Sequence, residues 1–590
     1  IAYYPHPKSC IYKLNSSSYI KAFRWATDRI ADNSDGGIVA FISNGSWLDG
    51  NAQDGFRACL ESEFTDIYVL NLRGNQRTSG ELSRKEGGKI FGGGSRTPIT
   101  ITILVKNPAK NSKAATIHYH DIGDYLTREQ KLNFIKKFKS VHGRTLDWEV
   151  INPTEKHDWI NQRDGIFDQL IPVAPEKKFK IDEQSFFSTL SLGIATNKDT
   201  FLYDFSKESL CNKIESLISF YNSERMKLAL NANYELQTDP TKIVWTDMFK
   251  NSAKKQEIFK LDYSRFVESC YRPFTKQNFI FQKDLIQRTY QQLRLFPTGI
   301  TSNKLICVSG IGVTKDFSCI ITDQLPDLEL IGKSQCFPLY WYEERKDIQG
   351  SLFDTDESKD RYKRHDGITD WILKEVRKRF GNSKAITKEH IFYYVYGILH
   401  SPQYRERFAA DLKKSLPRIP IVDNVEDFMA FYKAGKALAD LHLNYEQVPP
   451  CPDVTPKVAD AVFEEDSAEK PFAYTKYSHF FVDKMTFPKV RNEKGKLVPD
   501  KSRIIYNDHI TIENIPAKAY EYIVNGKSAI EWIMERYAVS QDSKSLIIND
   551  PNEWSREHKN PTYIYDLLLS VINLSVQTVD IVNSLPKLKF

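Results

Sequence analysis

The chain has 590 residues, and its 82 Lys and Arg against 76 Asp and Glu give a formal net charge of +6 at pH 7. Hydrophobic residues make up 41% of the chain and aromatic residues 13%, a composition that excludes an intrinsically disordered protein. The small positive charge excludes a highly basic tail-like protein and a strongly acidic one, and it permits a local basic cleft on a nearly neutral scaffold.

The first 110 residues alternate helix and strand signals. Tyr19, Phe23, Ala26 and Ile30 repeat at helical spacing and predict an amphipathic helix over residues 18–31. The predicted elements that follow are a strand at 37–42, a helix at 56–64, a strand at 67–72, a Gly-rich loop at 73–96 and a strand at 99–105. The continuous apolar run of the first strand is typical of a strand buried on both faces. This order predicts one half of an open α/β sheet.

Charge is concentrated in two segments of the remaining chain. Residues 126–139 predict a basic amphipathic helix, which fits either a solvated face or a DNA-backbone contact. Residues 346–366 are dense in charge and poor in aliphatic residues, which predicts a linker or an exposed loop. Helices are then predicted at 368–380, 388–399, 403–415, 426–441, 528–537 and 563–581.

The cysteines and the apolar runs bear on the cellular compartment. The eight cysteines are sparse and none has the spacing of a zinc site, so we expect a reducing cytoplasm and no bound metal. The longest aromatic and aliphatic run, Ile391 to Leu399, has nine residues, whereas a membrane helix needs about 20. We therefore expect no membrane span, and no signal peptide is recognisable. Because the chain begins with Ile1 rather than Met, we expect further residues upstream.

Three stretches near the predicted strands resemble motifs of gamma-type N6-adenine DNA methyltransferases. They are Phe41-Ile-Ser-Asn-Gly-Ser-Trp-Leu48, Leu70-Asn-Leu-Arg-Gly-Asn75 and Gly88-Lys-Ile-Phe-Gly-Gly-Gly-Ser-Arg-Thr-Pro-Ile99. The last of them is similar to the final characteristic motif of those enzymes, which lies just before their terminal strand.

Five later motifs make a more specific resemblance. They are Gly193-Ile-Ala-Thr-Asn-Lys-Asp199, Tyr271-Arg-Pro-Phe274, Tyr396-Gly-Ile-Leu-His-Ser-Pro402, Leu416-Pro-Arg-Ile-Pro420 and Val524-Asn-Gly-Lys-Ser528. In this order they resemble the C-terminal half of the type ISP single-polypeptide restriction-modification enzymes, from about residue 15 to the end of the chain.

The resemblance implies an architecture and a set of partners. Residues 1–125 would be the C-terminal half of a Rossmann-like methyltransferase sheet, an α/β fold. A large mixed α+β target-recognition domain would follow, with a mixed part at 126–350 and a helix-rich part at 351–590. The implied chemistry is N6 methylation of adenine in double-stranded DNA with S-adenosylmethionine. A nuclease, a helicase-like motor and the N-terminal methyltransferase segments are expected upstream.

The catalytic motif of that family is missing from the sequence. The family holds the adenine amine with an Asn/Asp-Pro-Pro-Tyr/Phe loop, and an enzyme of this kind must also flip the base out of the duplex. The nearest strings, Asn152-Pro-Thr154 and Asp550-Pro-Asn552, lack the second proline and the aromatic residue. Neither a G-x-G-x-x-G loop nor a P-loop is present. We therefore expect methyl transfer to need upstream residues, and a degenerate homologue remains the alternative.

Three residues are candidates for a base pocket. Phe91 matches the aromatic residue of the family's last motif, which implies stacking on the flipped adenine; the alternative is a core residue at the sheet edge. Asn44 and Trp47 follow a predicted strand, at the end where open α/β sheets bind ligands. Their alternative is a local role in the turn and in packing.

Two regions offer side chains that suit DNA recognition. Base edges are read by Arg, Asn and Gln, and phosphates are contacted by Lys and Arg. The candidates are Asn197, Lys198, Arg272, Lys276, Gln287, Arg288 and Arg294. Either region is equally compatible with an ordinary polar surface.

Two classes of function therefore remain open. The first is the methyltransferase and target-recognition portion of an adenine-specific restriction-modification enzyme. The second is a sequence-specific DNA-binding module without catalysis in this chain. A modifier of RNA or protein on the same fold is a weaker alternative, since a fold does not fix the substrate.

Overall fold

The three strands predicted in the first 110 residues belong to one five-stranded sheet in the computed structural model, and its other two strands lie at Thr116–Asp121 and Glu149–Ile151. The structure describes residues 17–31, 33–78, 80–110, 113–138, 140–141, 146–175, 184–231, 233–298, 301–345, 361–458, 478–493 and 495–590. The chain divides into two compact units. The first comprises Ile1–Gln169, Ile311–Asp316 and Arg407–Ser415, and the second Leu170–Gly310, Phe317–Glu406 and Leu416–Phe590.

The first unit contains four helices and five strands from its N-terminal segment, among the described residues. They are α1 Ser18–Ile30, α2 Asp54–Glu63, α3 Gly80–Glu86, α4 Arg128–Lys137, β1 Gly37–Asn44, β2 Asp66–Asn71, β3 Ile99–Lys106, β4 Thr116–Asp121 and β5 Glu149–Ile151. The strand order is β1-β3-β2-β4-β5, with β1, β2 and β4 parallel to one another and β3 and β5 antiparallel to them. The unit extends past the boundary expected at residue 125 because β5 joins the sheet and Trp159 joins its core.

Helices cover the two faces of this sheet unequally. α1 and α2 pack on one face, where Phe23 and Leu60 join Val39, Leu104 and Ile67 in a buried core. α4 covers the opposite face near β2 and β4. On that face β1 and β3 carry a row of six incompletely covered aliphatic residues: Ile38, Ala40, Ile42, Ile101, Ile103 and Val105.

The prediction that the first strand is buried on both faces is therefore wrong for the described chain. Val39 and Ser43 are buried, but Ile38 is 67% and Ile42 62% exposed. The apolar run is correct and alternates between a covered and an uncovered face. Lys131 also departs from expectation: it lies in the predicted basic helix but is fully buried, donating to the Glu86 carbonyl at 2.7 Å.

The second unit is mixed α/β with several small sheets. Its helices are α5 Asp199–Leu202, α6 Lys207–Leu230, α7 Asp247–Lys254, α8 Gln292–Leu295, α9 Asp370–Arg379, α10 Lys388–His400, α11 Pro402–Arg407, α13 Val425–Leu443, α14 Ala529–Arg536, α15 Asn552–Glu557 and α16 Tyr563–Asn583, while α12 Ala409–Lys414 belongs to the first unit. Its strands are β6 Ile171–Pro172, β7 Ser191–Leu192, β8 Tyr203–Asp204, β9 Phe266–Arg272, β10 Thr275–Ile280, β11 Leu305–Val308, β12 Cys319–Thr322, β13 Leu325–Pro326, β14 Gln335–Pro338, β15 Tyr340–Glu344, β16 Tyr362–Asp366, β17 Arg418–Ile419, β18 Thr455–Val458, β19 Lys489–Arg491, β20 Leu497–Pro499, β21 Ile504–Ile505, β22 Ile510–Glu513, β23 Ile523–Val524, β24 Lys527–Ser528, β25 Ser540–Gln541 and β26 Ile548–Asn549.

The helical predictions for this region mostly agree with the structure. The helix predicted at 403–415 is instead two, α11 and α12, with a break at Phe408. The linker predicted at 346–366 falls largely outside the described residues, and its last part forms β16. The boundary expected between residues 350 and 351 also lies outside them.

Close packing of α10 on α13 explains one of the family-like motifs. A Cβ atom on Gly397 would lie 2.3 Å from the Phe431 carbonyl oxygen, so only glycine allows the helices to approach this closely. Beyond this crossing the Tyr396 hydroxyl lies 2.7 Å from His442 Nδ1, and His442 Nε2 lies 3.0 Å from the Thr578 hydroxyl on α16. Burial lowers the pKa of His442 to about 3, so the ring is neutral at pH 7.

α16 is the one described helix that is long and apolar enough to span a membrane. Most of its apolar window, 61%, is buried within the protein, and Leu568, Val571, Ile572 and Leu574 belong to the core of the second unit. The expectation of no spanning helix rested on unbroken apolar runs. α16 instead mixes apolar residues with Ser, Asn and Asp, a composition that fits a core helix.

Candidate functional site

A cleft of about 1100 Å³ opens in the first unit at the carboxyl ends of the parallel strands. The residues that follow β1, β2 and β4 reach the same edge of the sheet, which is where open α/β sheets bind ligands. Its lining includes Gly45, Asn71, Arg73, Tyr119, Asp121 and Lys414.

Polar side chains at the strand ends form one connected group. Asn71 Nδ2 donates to the Tyr119 hydroxyl at 3.0 Å, and that hydroxyl donates to Asp121 at 3.1 Å. Arg73 Nε donates to Asp121 at 2.6 Å and a second nitrogen contacts Asp124. Burial lowers the pKa of Arg73, but pairing with the two carboxylates outweighs it and holds that pKa above its usual value. The sequence prediction missed this group, although Asn71, Arg73 and Asp121 each end or follow a strand.

Asn44 and Trp47 have local structural roles beside this cleft. The Asn44 side chain accepts from the Ser46 amide at 2.9 Å and caps the turn after β1. Trp47 is fully buried and packs edge-on against Phe56 and Trp159, with ring centroids 5.3 and 5.4 Å away. Neither residue lines the cleft, so the geometry favours the turn and packing alternative for both.

Phe91 lies in the loop between α3 and β3 and is 49% exposed. The loop predicted at 73–96 is thus interrupted by the short helix α3. Phe91 is therefore not the core residue that the alternative interpretation supposed. It does not line the cleft, and Gly92 and Gly93 beside it have open space where a side chain would project. Its stacking on a flipped base stays a prediction.

A buried ion-pair network closes another wall of the cleft. Lys414 Nζ lies 3.3 Å from Asp158 Oδ1 and 2.9 Å from Asp49 Oδ1. Arg57, which is fully buried, and Arg163 also contact the Asp158 carboxylate, at 3.7 and 2.7 Å. Desolvation raises the pKa of Asp158, but Arg163 and Lys414 together lower it by more, so the carboxylate stays charged. The network ties Arg407–Ser415 to the N-terminal sheet of the first unit.

In the second unit, the Arg272 side chain is mostly buried and is paired within the protein. Its guanidinium donates to Asp327 Oδ1 at 2.7 Å and approaches Asp199 Oδ2 at 3.5 Å, while it stacks 3.9 Å over the Tyr271 ring. Asp327 also accepts from the Tyr203 hydroxyl at 3.1 Å. Two motifs of the family resemblance, at 193–199 and 271–274, thus meet in one internal network.

Lys198 is also buried, with Nζ 4.0 Å over the Phe249 ring. Burial lowers its pKa to about 7. Lys276 pairs with Glu446 at 2.7 Å, and Arg294 stacks 4.4 Å over the Trp341 ring. These contacts argue against Lys198 and Arg272 as DNA contacts, because neither side chain is free to reach a duplex.

Two of the predicted DNA contacts, Asn197 and Arg288, are exposed. Lys276, Gln287 and Arg294 are half-buried, and Lys276 and Arg294 contact Glu446 and Trp341. Arg288 lies close to Asn197, since its backbone pairs with Ala195 through hydrogen bonds of 2.9 and 3.0 Å. Their contact with DNA stays a prediction. Among the described residues no three His, Cys, Asp or Glu side chains group as metal ligands.

Comparison with known proteins gives a consistent result. Residues 185–567 match the family described as Type ISP C-terminal specificity domain. A nuclease-deletion mutant of the Type ISP restriction-modification enzyme LlaGI, in complex with a DNA substrate mimic, is 38% identical with a TM-score of 0.79; the match covers 97% of this chain and 48% of that one.

Two further structures are similar over nearly the same span. The ATP-dependent Type ISP enzyme LlaBIII bound to DNA is 36% identical with a TM-score of 0.79, over 99% of this chain and 36% of that one. A DrdV–DNA complex is 29% identical with a TM-score of 0.77, over 97% of this chain and 52% of that one. A search of curated proteins gave no match. The chain thus spans between 36% and 52% of the length of these relatives.

Proposed function

The chain belongs to the Type ISP C-terminal specificity domain family, and from that premise we propose that it selects the DNA target of a restriction-modification enzyme. The observation that carries the proposal is the family match over residues 185–567, which fall mainly in the second unit. The structures of LlaGI with a DNA substrate mimic and of LlaBIII bound to DNA, each more than a third identical to this chain, support DNA as its partner.

The first unit supports a second proposal, that the full-length enzyme is an adenine-specific N6 DNA methyltransferase that uses S-adenosylmethionine. Six aliphatic residues on one face of β1 and β3 lack full cover in the described chain, whereas sheets of this class bury both faces. We propose that a methyltransferase segment of the full-length enzyme covers this face and completes a Rossmann-like sheet.

The described residues do not fit S-adenosylmethionine by themselves. The carboxylates at the strand ends that suit a ribose, Asp121 and Asp124, are both engaged by Arg73. Gly92 and Gly93 have no neighbouring backbone that would shape a cofactor cradle. The methyl donor and the groups that accept the adenine amine are therefore assigned to the proposed methyltransferase segment, and Phe91 to stacking on the flipped base.

The alternative is a sequence-specific DNA-binding module that has no catalytic role. The lack of an Asn-Pro-Pro-Tyr loop in this sequence favours that alternative. A cytoplasmic location, and a nuclease and motor in the same polypeptide, belong to the proposal for the full-length enzyme. Their support is the restriction-modification context and the additional length of the relatives.

Calorimetric titration with S-adenosylmethionine, with and without a randomised duplex pool, tests target recognition by this chain and the assignment of the methyl-donor site to another segment. Saturable cofactor binding by this chain alone would contradict the assignment of the donor site to another segment. Salt-sensitive DNA binding that enriches one sequence, without cofactor binding, is the expected result. Failure to bind any duplex would contradict target recognition by this chain.

A further inference from the structure

A hairpin in the second unit carries positive charge and has no core of its own. β19 and β20 pair antiparallel, with Val490 opposite Val498, and they belong to no larger sheet among the described residues. Every described residue from 489 to 499 is exposed except Val498, which is half-buried. Val490 is 38% and Leu497 54% exposed. An isolated two-stranded hairpin is only marginally stable in water, and these exposed residues form no packed core that would stabilise it.

The hairpin nevertheless has a defined turn and base. The Asn492 amide donates to the Lys496 carbonyl at 2.9 Å, and the Lys496 amide donates to Asn492 Oδ1 at 3.0 Å. Gly495 takes the left-handed conformation, with φ +71°, and its carbonyl accepts from Arg491 Nη1 at 2.9 Å. At the base, the Asp500 amide donates to the Pro488 carbonyl at 2.8 Å. The shape is therefore set by local hydrogen bonds.

The charge on the hairpin is not neutralised within the described chain. Residues 489–499 contain four basic residues and a single acidic one, Glu493. Lys489, Arg491 and Lys496 form no ion pair with a described carboxylate. The cations just beyond the hairpin differ, since Lys501 pairs with Glu531 at 3.0 Å and Arg503 with Asp500 at 2.9 Å.

The strand register sorts these side chains. Lys489 lies opposite Pro499 and Arg491 opposite Leu497, and cross-strand partners share a face of the ribbon. Lys489, Arg491 and Leu497 therefore project from one face, with Lys496 in the adjoining turn. Val490 and Val498 project from the other. One face thus combines the two cations with the apolar side chains of Leu497 and Pro499.

We propose that this hairpin enters the major groove of the target duplex and that Lys489, Arg491 and Lys496 contact its phosphates and base edges. The inference rests on the proposed target-recognition function. Paired strands lie about 4.7–4.9 Å apart, and a two-stranded ribbon fits the major groove, which is about 12 Å wide. Arg491 suits the acceptors of guanine, and Leu497 suits the methyl group of thymine.

A matched pair of triple variants of the 590-residue chain tests the assignment. The hairpin variant carries Lys489→Ala, Arg491→Ala and Lys496→Ala. The control variant, Lys250→Ala, Lys254→Ala and Lys255→Ala, removes the same charge from exposed lysines at α7. Binding to a fluorescent randomised duplex is measured by anisotropy at several salt concentrations, and thermal unfolding is recorded for each protein.

The hairpin variant is expected to unfold like the wild type and to bind at least about tenfold more weakly, with the salt slope reduced by about 1 for each phosphate that is no longer neutralised. The control is expected to bind like the wild type, and Lys496→Glu alone is expected to weaken binding. Wild-type affinity and slope in the hairpin variant would overturn the hairpin assignment and leave target recognition intact. Equal losses of DNA affinity in both triple variants would overturn the hairpin assignment, because they would show a general effect of the removed positive charge. A wild-type chain that binds no duplex would remove both proposals.

Discussion

Arg272 Nη1 lies 2.7 Å from Asp327 Oδ1 in the second unit, where the two side chains are only 14% and 3% exposed. Burial lowers the pKa of Arg272, but Asp327, together with smaller contributions from Tyr271, Asp199 and Tyr203, outweighs burial and raises that pKa above its usual range. Tyr203 and the Glu329 amide also donate to Asp327, so the buried carboxylate is fully partnered. The arginine of the Tyr-Arg-Pro-Phe motif is therefore a structural residue.

Arg272→Ala is expected to lower the free energy of unfolding by about 3–5 kcal/mol, because it leaves a buried carboxylate without its cation. Urea unfolding followed by tryptophan fluorescence measures the change. Arg288→Ala, at an exposed position, is the control and is expected to stay within about 0.5 kcal/mol of the wild type. Unchanged stability together with an altered DNA preference in Arg272→Ala would instead make Arg272 a base-reading residue.

Lys198→Met is expected to change how stability depends on pH. Burial lowers the Lys198 pKa to about 7 in the folded state, whereas the pKa of a lysine in the unfolded chain is about 10.4. Between these values the unfolded chain binds the extra proton, so this lysine makes stability rise with pH, by at most about 1.4 kcal/mol per unit. The gain in stability of the methionine variant is therefore expected to be largest below pH 7 and to shrink towards pH 10. Parallel stability curves for the two proteins would show that Lys198 keeps its proton.

Gly397→Ala is expected to destabilise the second unit by about 1–3 kcal/mol. Its Cβ would lie 2.3 Å from the Phe431 carbonyl oxygen, so α10 and α13 would have to move apart. Gly92→Ala is the matched control, because no atom lies within 4 Å of its added Cβ. Thermal unfolding compares the two variants. Equal melting temperatures would mean that the helices separate at little cost.

Phe91→Ala is expected to leave the stability of the chain unchanged, because the side chain is 49% exposed. In the full-length enzyme it is expected to slow methyl transfer, because stacking on the flipped base worth about 1–3 kcal/mol is lost. Duplex binding is expected to be largely preserved. Trp25→Ala, which removes another exposed aromatic residue of the first unit, serves as the control. A parallel loss of folding and activity in Phe91→Ala would assign it a structural role.

Ile42→Asp tests the proposed cover of the first unit. Ile42 is 62% exposed, so the substitution is expected to cost this chain little stability. In the full-length enzyme it is expected to reduce methyl transfer and stability, because a charge would be buried beneath the proposed methyltransferase segment. Ile548→Asp, at an exposed position of the second unit, is the control. Full activity of the Ile42 variant would mean that this face stays open to solvent.

Local patterns in the sequence determined where the first three strands and several of the longer helices lie, whereas the elements between residues 152 and 345 were not located. The strand predicted at 99–105 is β3 Ile99–Lys106, and the helix predicted at 388–399 is α10 Lys388–His400. Such boundaries follow from the periodicity of apolar residues and from nearby caps, which depend on neighbours in the chain. The family resemblance also came from the sequence, since it rests on short motifs in a fixed order.

Only the tertiary structure decided which polar side chains are free to act. Lys198 and Arg272 read as cations suited to DNA, but Phe249 and Asp327, which lie far away in the chain, enclose them. The charges of Lys489, Arg491 and Lys496 looked no different in the sequence, yet nothing in the described chain neutralises them. Whether a charge is paired or solvated depends on contacts between distant segments, and residue type and spacing do not encode those contacts.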